Sequence, residues 1–302
     1  MLEIKALRYF VAVVDANGFT AAARTLHVAQ PAVSMAIRKL ENTLELNLFH
    51  RRERGIELTD EGRVLLTHAR RILQAVSDAE LEMHELHGLT RGEVRIGVPS
   101  MLGSYYFPPI LMAFRHRYPN LQLTVVESGT RKIQQMLSEG EIDMGVIVSD
   151  TPPADLESYT FLRDQMMAIL PQDHPLATKE SISFDEFFRE DLVVFKQGYF
   201  HREQLDKLAH ASGSPLKIGF ETNLLPLIKQ IVRHGFAIST LLEMAISDAS
   251  DLVARPFAEP VWLDLSIAWR RDGYLSRANC AFVEFLGQLH PTREIHPPSR
   301  SG

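Results

Sequence analysis

A helix predicted around residues 31–44 carries the side chains best placed for chemistry in this chain. At ~100° per residue its positions sort into two sides. The inward side is apolar and comprises Val33, Ile37, Leu40 and Leu44. The outward side is mixed and comprises Pro31, Ser34, Met35, Arg38 and Asn42. A helix with one apolar side for a core and one short polar side can enter the major groove of DNA, where base edges present distinct hydrogen-bonding patterns.

Two further polar residues stand where predicted strands end. Ser100 follows a strand predicted at 93–98, and Thr130 opens a helix after a strand predicted at 121–127. Helix N-termini at such positions favour an anion, and in open α/β sheets ligands bind beyond the carboxyl ends of the strands. The sequence therefore predicts a site for a small anion here. The alternative is that both residues only cap their helices.

The sequence contains no motif for catalysis or a metal. Gly-rich phosphate loops, paired metal-ligand motifs and a G-x-S-x-G elbow are all missing from it. His84 and His87 are three residues apart and lack a third ligand nearby, so we predict solvated side chains. The single cysteine, Cys280, lies in an apolar run and is predicted to be core, whereas a redox switch would need two cysteines. The sequence therefore predicts no enzyme, no metal and no cofactor.

Residues 1–58 must position the outward face of that helix. An apolar spacing of i, i+3, i+4 and i+7 from Leu7 predicts a first helix that ends at Asn17-Gly18. Thr20 is predicted to cap a second helix, and Pro31 suits the first turn of the third. Apolar residues flank 50–55 and predict a two-stranded wing whose tip carries arginines at positions 51, 52 and 54.

Residues 59–88 are predicted to form one long helix beginning at Thr59. Apolar residues recur along it at alternating steps of four and three, as in a coiled-coil seam: Leu65, Ala69, Ile72, Val76, Ala79, Met83 and Leu86. Such a seam needs a partner, and the same helix of a second subunit is the first choice. The alternative is that the helix packs on its own domain.

From residue 93 onwards, predicted strands and helices alternate. The strands are predicted at 93–98, 121–127, 142–148, 165–170, 192–195, 217–221, 236–239 and 261–269. The helices are predicted near 103–118, 130–139, 201–212, 223–234 and 275–289. This order implies a mostly parallel sheet with helices on both faces. A free solute-binding protein would share such a fold, but would not open with a DNA-binding module.

Composition and charge agree with a DNA-binding head on an acidic body. The chain has 45% hydrophobic and 23% charged residues, with no run of the ~20 apolar residues that a membrane span needs. Residues 1–58 hold eight Lys or Arg against six Asp or Glu, a net +2, which leaves −8 for the rest because the whole chain carries −6. The N-terminus does not fit a secretory signal, so we predict a cytoplasmic protein without membrane contact.

The stretch FTAAARTLHVAQPAVS at residues 19–34 resembles the LysR-type transcriptional regulators. The likeness continues through LTDEG at 58–62, and more loosely through GEVRIG at 92–97, IDMGV at 142–146 and DHPLA at 173–177. It thus covers nearly the whole chain.

The resemblance implies an α/β fold in three parts. These are a winged helix-turn-helix (1–58), a linker helix for dimerisation (59–88) and a two-lobed, Rossmann-like effector domain similar to periplasmic binding proteins (92–302). Lobe one would span about 92–162 and 267–295, and lobe two about 163–266. The family implies homodimers that assemble into tetramers, double-stranded promoter DNA and RNA polymerase as partners, and a small effector between the lobes.

The resemblance also implies roles for single residues of the head. Gln30 would contact base edges, where a glutamine suits adenine, although it could instead cap its helix. Ser34 and Arg38 would contact bases or phosphates, and Arg54 would enter the minor groove. Thr20 would be a helix cap first and a phosphate ligand second. The family often has arginine at position 35, whereas Met35 would touch a thymine methyl group or nothing.

In the effector domain, the resemblance implies a set of cleft residues drawn from both lobes. They are Ser100, Met101, Thr130, Val148, Phe200, His201, Arg202 and Asn223. Among them, His201 or Arg202 facing the cleft would fit an acidic effector; plain surface positions are the alternative.

Overall fold

A computed structural model describes residues 1–50, 56–86, 92–148, 153–246 and 251–289. The chain forms two compact units, Met1–Leu89 with Glu139–Glu141, and Thr90–Ser138 with Ile142–Gly302. Within the described ranges, no helix is both long enough and apolar enough to cross a membrane.

The first unit has the predicted winged helix-turn-helix followed by a long helix. Its elements are α1 (Ile4–Asp15), α2 (Phe19–Thr25), α3 (Gln30–Leu44), β1 (Phe49–His50), β2 (Glu57–Leu58) and α4 (Asp60–Leu86). The two short strands pair antiparallel, Phe49 with Leu58 and His50 with Glu57. The arginines at 51, 52 and 54 lie outside the described residues, as do the side chain of His84 and all of His87.

A small aromatic core holds α3 in place. The Phe10 ring of α1 lies 5.4 Å from the Phe49 ring, which also contacts Phe19 of α2 at 5.7 Å. Val33 and Ile37 on the inward side of α3 are fully buried in the same core. Burial of these side chains turns the opposite side of α3 to solvent.

The helix starts differ in part from the prediction. Gly18, not Thr20, is the N-cap of α2, and Thr20 lies exposed in the first turn. The reason is that the positive φ of Asn17 lets the chain turn and re-enter a helix directly. Thr59 does start α4, because its hydroxyl accepts the Gly62 N–H at 2.9 Å.

The second unit has an alternating α/β order. Its strands are β3 (Gly92–Val98), β4 (Leu121–Glu127), β5 (Met144–Val148), β6 (Leu156–Pro171), β7 (Leu192–Val194), β8 (Ile218–Glu221), β9 (Ser239–Leu242) and β10 (Leu252–Arg270). Its α-helices are α5 (Ser100–Tyr105), α6 (Phe107–Arg117), α7 (Thr130–Glu139), α8 (Phe184–Phe187), α9 (Phe200–Ser212), α10 (Leu225–Arg233) and α11 (Arg277–Gln288). Two short 3-10 helices span Pro175–Thr178 and Glu243–Ala245.

The main sheet is mixed, not mostly parallel as predicted. Its order is β4-β3-β5-β10-β6-β9, and a second sheet holds β7 and β8. β3 pairs parallel with β4 and β5, whereas β10 pairs antiparallel with both β5 and β6. The long strands β6 and β10 run through both lobes, and their antiparallel pairing joins one lobe to the other.

Several predicted elements were too short, merged or displaced. The predictions at 165–170 and 261–269 captured only parts of β6 and β10, because their ends lack a continuous apolar pattern. The helix predicted at 103–118 divides into α5 and α6 at Tyr106, ahead of two prolines. The strand predicted at 236–239 lies at Ser239–Leu242, after Gly235 with its φ of 70°.

Helices cover both faces of the main sheet. On β5, Val146 belongs to the core that includes residues of α5, α6, α10 and α11. The next residue, Ile147, belongs to the core under α7, and α9 has its own apolar core further along the sheet. Since successive strand residues point to opposite faces, α7 and α9 lie on one face and α5 and α10 on the other.

Candidate nucleic-acid interface and ligand cleft

The outward side of α3 is exposed to solvent and is accessible to a binding partner. Gln30, Pro31 and Arg38 are exposed, and Met35 retains 68% of its surface. Gln30 is the first residue of the helix and not its cap, since Ala29 occupies that position without a side-chain bond. The helix therefore starts without a side-chain cap, and Gln30 keeps its amide for other bonds.

Two rows of side chains run along this surface at a spacing of four residues. The polar row consists of Gln30, Ser34 and Arg38, and the apolar row of Pro31 and Met35. Gln30 Nε2 donates to Ser34 Oγ at 2.8 Å, which aligns the amide with the helix. One amide hydrogen and the carbonyl oxygen of Gln30 are not used in this bond, and these are the two groups that pair with adenine.

The apolar seam of α4 has a part packed on its own unit and a part exposed to solvent. Ala69 is fully buried in the core of its own unit and Leu65 packs against that core, which agrees with the alternative interpretation for this part. Ala69 therefore cannot face a second subunit. Arg70 also binds Asp15 of α1, with Nη2 and Oδ1 2.7 Å apart.

The later part of the seam is open to solvent. Ile72 is 37% and Met83 54% exposed, Ala79 is exposed, and Val76 is half-buried. The side chain of Leu86 lies outside the described residues. Among the described seam residues, those from Ile72 to Met83 are the more accessible to a partner helix.

In the second unit, the predicted cleft residue Met101 belongs to the core. It is 1% exposed, and its Sδ accepts the Leu242 N–H at 3.4 Å. Ser100 beside it is half-buried and is the first residue of α5, with Pro99 as the N-cap. Met101 is therefore packed between the two lobes in this structure, and its contact with a ligand stays a prediction.

The two lobes also touch where α7 begins. The Arg131 N–H donates to Gly198 O at 3.4 Å, and the Arg131 side chain pairs with Glu203 of α9. Gly129 lies so close that a Cβ atom there would be 2.5 Å from Gly198 O. Thr130 is consequently buried at the first position of α7.

Tyr199 adds a second bond between the lobes at this point. Its hydroxyl donates to Glu127 Oε1 at 3.1 Å, at the carboxyl end of β4. Burial and the neighbouring carboxylate raise the pKa of Tyr199 to about 12, so the phenol keeps its proton at neutral pH. On the other face, Lys229 of α10 donates to the Tyr105 hydroxyl at 2.7 Å.

The predicted cations at the start of α9 do not face a ligand. Arg202 is buried and binds Asp206 and Glu221, each at 2.9 Å. Complete burial lowers the pKa of His201 to about 3, so the imidazole is neutral at pH 7. Its Nε2 has no hydrogen-bond partner among the described residues. His201 therefore carries no charge at neutral pH, whereas Arg202 keeps its charge and is paired with two carboxylates.

A groove of about 720 Å³ lies between α7 and α9, along strand β10. Two predicted residues, Val148 and Phe200, line it, and Arg131 and Lys207 line it as well. Asn223 does not line it and instead accepts the Lys196 N–H at 2.9 Å.

Two strand residues of this groove, Trp262 and Asp264, were not predicted as site residues, because their stretch at 261–269 predicts only a strand. Trp262 is 48% exposed, with the Arg163 guanidinium 5.5 Å from its ring centre. Asp264 Oδ1 is buried without a hydrogen bond from the described residues, and Arg163 Nε lies 3.7 Å away. Among the described residues no group of three or more His, Cys, Asp or Glu could hold a metal ion.

A winged helix-turn-helix with an exposed third helix is a DNA-binding motif, and here it precedes a two-lobed α/β domain that has a groove between its lobes. Family models agree with both parts. Residues 4–63 match the bacterial regulatory helix-turn-helix protein of the lysR family, and residues 87–290 match the LysR substrate binding domain. The chain belongs to the LysR family of transcriptional regulators.

Relatives match over nearly the full length. An uncharacterized HTH-type transcriptional regulator of Bacillus subtilis, YwbI, is 31% identical and covered over 94% of this chain and 95% of its own. The RuBisCO operon transcriptional regulator of Allochromatium vinosum is 30% identical, also over 94% and 95%. Both relatives are named as regulators of transcription.

Solved structures share the fold. A full-length OxyR variant of Pseudomonas aeruginosa has a TM-score of 0.75 at 24% identity, over 95% of both chains. Full-length CbnR complexed with its target DNA has a TM-score of 0.65 at 22% identity, over 95% of this chain and 99% of its own. The Synechocystis CcmR regulatory domain in complex with 2-PG has a TM-score of 0.63 at 22% identity, over 67% and 99%.

Proposed function

We propose that this regulator binds specific promoter sequences through α3, and that a small anionic effector held between its lobes changes the outcome of binding. The observation that carries the proposal is the exposed outward side of α3, whose polar row is ordered by the Gln30–Ser34 bond. In a helix-turn-helix the second helix of the motif lies in the major groove with its N-terminal residues on the base edges. Here that helix is α3.

The contacts follow from the chemistry of each side chain. Gln30 pairs with adenine, Arg38 and Ser34 bind bases or phosphates, and Thr20, exposed in the first turn of α2, binds a phosphate. Arg54 enters the minor groove beside the wing.

In vitro selection with the full-length protein tests DNA binding. Random duplexes should converge on a partly palindromic motif, because a dimer presents two copies of α3. A Gln30→Ala, Arg38→Ala double variant should enrich no such motif. Failure of the unaltered protein to enrich any motif would contradict the proposal.

The effector is anionic in this proposal, although His201 and Arg202 supply no free charge. The start of α7 at Thr130 offers backbone N–H groups and a positive helix end, and Ser100 offers a hydroxyl at the start of α5. Lys207 adds positive charge in the groove, where Val148 and Phe200 provide apolar contact and Arg131 is paired with Glu203. The fold supports a small ligand, since the CcmR domain of the same fold was solved with 2-PG.

Self-assembly through two surfaces completes the proposal. The exposed part of α4, from Ile72 to Met83, pairs with the same segment of a second copy to form a dimer. Apolar side chains exposed on both lobes then join dimers into tetramers: Met112, Val125, Phe220, Leu224 and Leu227. Effector binding alters the bend of the DNA and the contact with RNA polymerase.

A further inference from the structure

Met35 exposes a large apolar side chain on a surface that otherwise offers hydrogen bonds. It is 68% exposed, and the core of the first unit is complete without it, since Val33 and Ile37 of the same helix fill the inward side. Pro31 lies one turn earlier and is also exposed, so the apolar row continues toward the start of α3. The row lies beside the polar row of Gln30, Ser34 and Arg38.

The thioether of methionine restricts what this side chain can recognise. It has no hydrogen-bond donor and is only a weak acceptor, so it cannot bind a phosphate or follow the donor and acceptor pattern of a base pair. The major-groove edges of the four bases carry one apolar substituent, the C5-methyl group of thymine. A flexible and polarizable side chain can fold over such a methyl group.

We infer that Met35 is a specificity-determining residue that recognises a thymine C5-methyl group in each half-site, next to the base pair bound by the polar row. This inference rests on the proposed role of α3 and adds the identity of one contacted chemical group. Because the contact is apolar, its contribution to the binding free energy depends on the burial of the methyl group. It does not depend on the hydrogen bonds of the base pair.

Replacing single thymines by uracil in the selected duplex tests this contact, because uracil lacks only that methyl group. With the full-length protein, uracil at one position in each half-site should weaken binding about four-fold per half-site. That factor corresponds to ~0.8 kcal/mol for one buried methyl group. In Met35→Ala protein the same uracil should cause no further loss, since the partner of the methyl group is gone.

Leu46→Ala is the matched control, because Leu46 is 46% exposed and lies in the first unit outside α3. This variant should keep the full four-fold penalty. If no thymine shows a penalty that depends on Met35, the inference is wrong while the role of α3 stands. If the protein selects no motif at all, the proposed function itself fails, which separates the two outcomes.

Discussion

The chemistry of both candidate sites depends on single side chains. Residues that are all polar in the sequence differ in their burial and in their bonding partners. Gln30 and Ser34 are held together on the surface of α3, ready for a partner. His201 and Arg202 look like ligand residues in the sequence, yet one is a buried neutral imidazole and the other is bound by two carboxylates. Burial and local partners therefore separate the residues that can recognise a ligand from those that support the fold.

Gln30→Ala should remove discrimination at one base pair of each half-site. A bidentate amide–adenine pair contributes ~1–3 kcal/mol of discrimination against the wrong base. Binding assays on duplexes with each of the four base pairs at that position should show nearly equal affinities for the variant. Thr43→Ala, on the same helix but off its outward stripe, should behave like the unaltered protein. Uniform weakening across all sequences would instead indicate a nonspecific role for Gln30.

His201 should make stability depend on pH. Burial lowers its pKa to about 3, whereas the ordinary value is 6.5, so between these values the unfolded chain binds the extra proton. Stability is therefore complete above pH 6.5 and is lost as the pH falls toward 3. The expected loss is ~2 kcal/mol at pH 5 relative to neutral pH.

Urea unfolding of the His201→Gln variant at pH 7 and pH 5 measures this effect. The variant should lack that part of the pH dependence, whereas His210→Gln, at an exposed position of the same helix, should keep it. Equal pH dependence in the His201 variant and the unaltered protein would show that the imidazole is not buried and neutral.

At the scale of elements, one apolar pattern on α4 has two different environments. Its early residues pack on the core of their own unit, and its later ones are exposed. A heptad pattern predicts an apolar seam but cannot say which part of it the same chain covers. That outcome depends on where α1 packs, which is set by contacts such as Arg70 with Asp15.

Replacing Ile72 and Met83 together by Asp should dissociate the proposed dimer. Each exposed side chain would place a carboxylate in an apolar seam, where an unpaired buried charge is costly. Sedimentation at micromolar concentration should show monomers. Ser77→Asp, an exposed residue off the seam, should leave the dimer intact, and an intact dimer in the double variant would contradict the pairing of α4.

At the scale of the whole molecule, β6 and β10 make the second unit a pair of joined lobes instead of separate domains. Contacts such as Tyr199 with Glu127 and Lys229 with Tyr105 hold the lobes together at two points. The groove on the face of α7 and α9 is then the place where a ligand can act on both lobes at once.

Thr130→Ala should impair the response to effector without abolishing DNA binding. Trp262 and Trp269 are the two tryptophans of the chain, and Trp269 is buried. A full-length Trp269→Phe protein therefore reports on the groove through Trp262 fluorescence. Titration with 2-PG and a panel of small carboxylates and phosphates should yield a ligand that changes this emission.

The Thr130→Ala version of that reporter should bind the same ligand at least ten-fold more weakly, whereas Thr178→Ala, an exposed residue of the short 3-10 helix at Pro175–Thr178, should not. Unchanged effector response in both Thr130→Ala and Ser100→Ala proteins would move the effector site elsewhere.

Local patterns in the sequence were enough to determine the fold class, the family and the outward side of α3. Apolar periodicity and the continuous 19–34 motif are short-range signals, and they lie within the helices and the turn that they predict. The start of α7 at Thr130 was predictable for the same reason, since it depends on the turn just before it.

Tertiary structure decided which of the predicted residues are available. Ala69 and Met101 are core because other parts of the chain cover them. His201 is neutral because it is buried, and Arg202 is paired with Asp206 and with the more distant Glu221. Trp262 and Asp264 enter the groove because β10 passes between lobes whose helices are far apart in sequence. The burial and the ion pairing of a side chain depend on all the residues that the fold brings next to it. A local sequence pattern does not contain those neighbours.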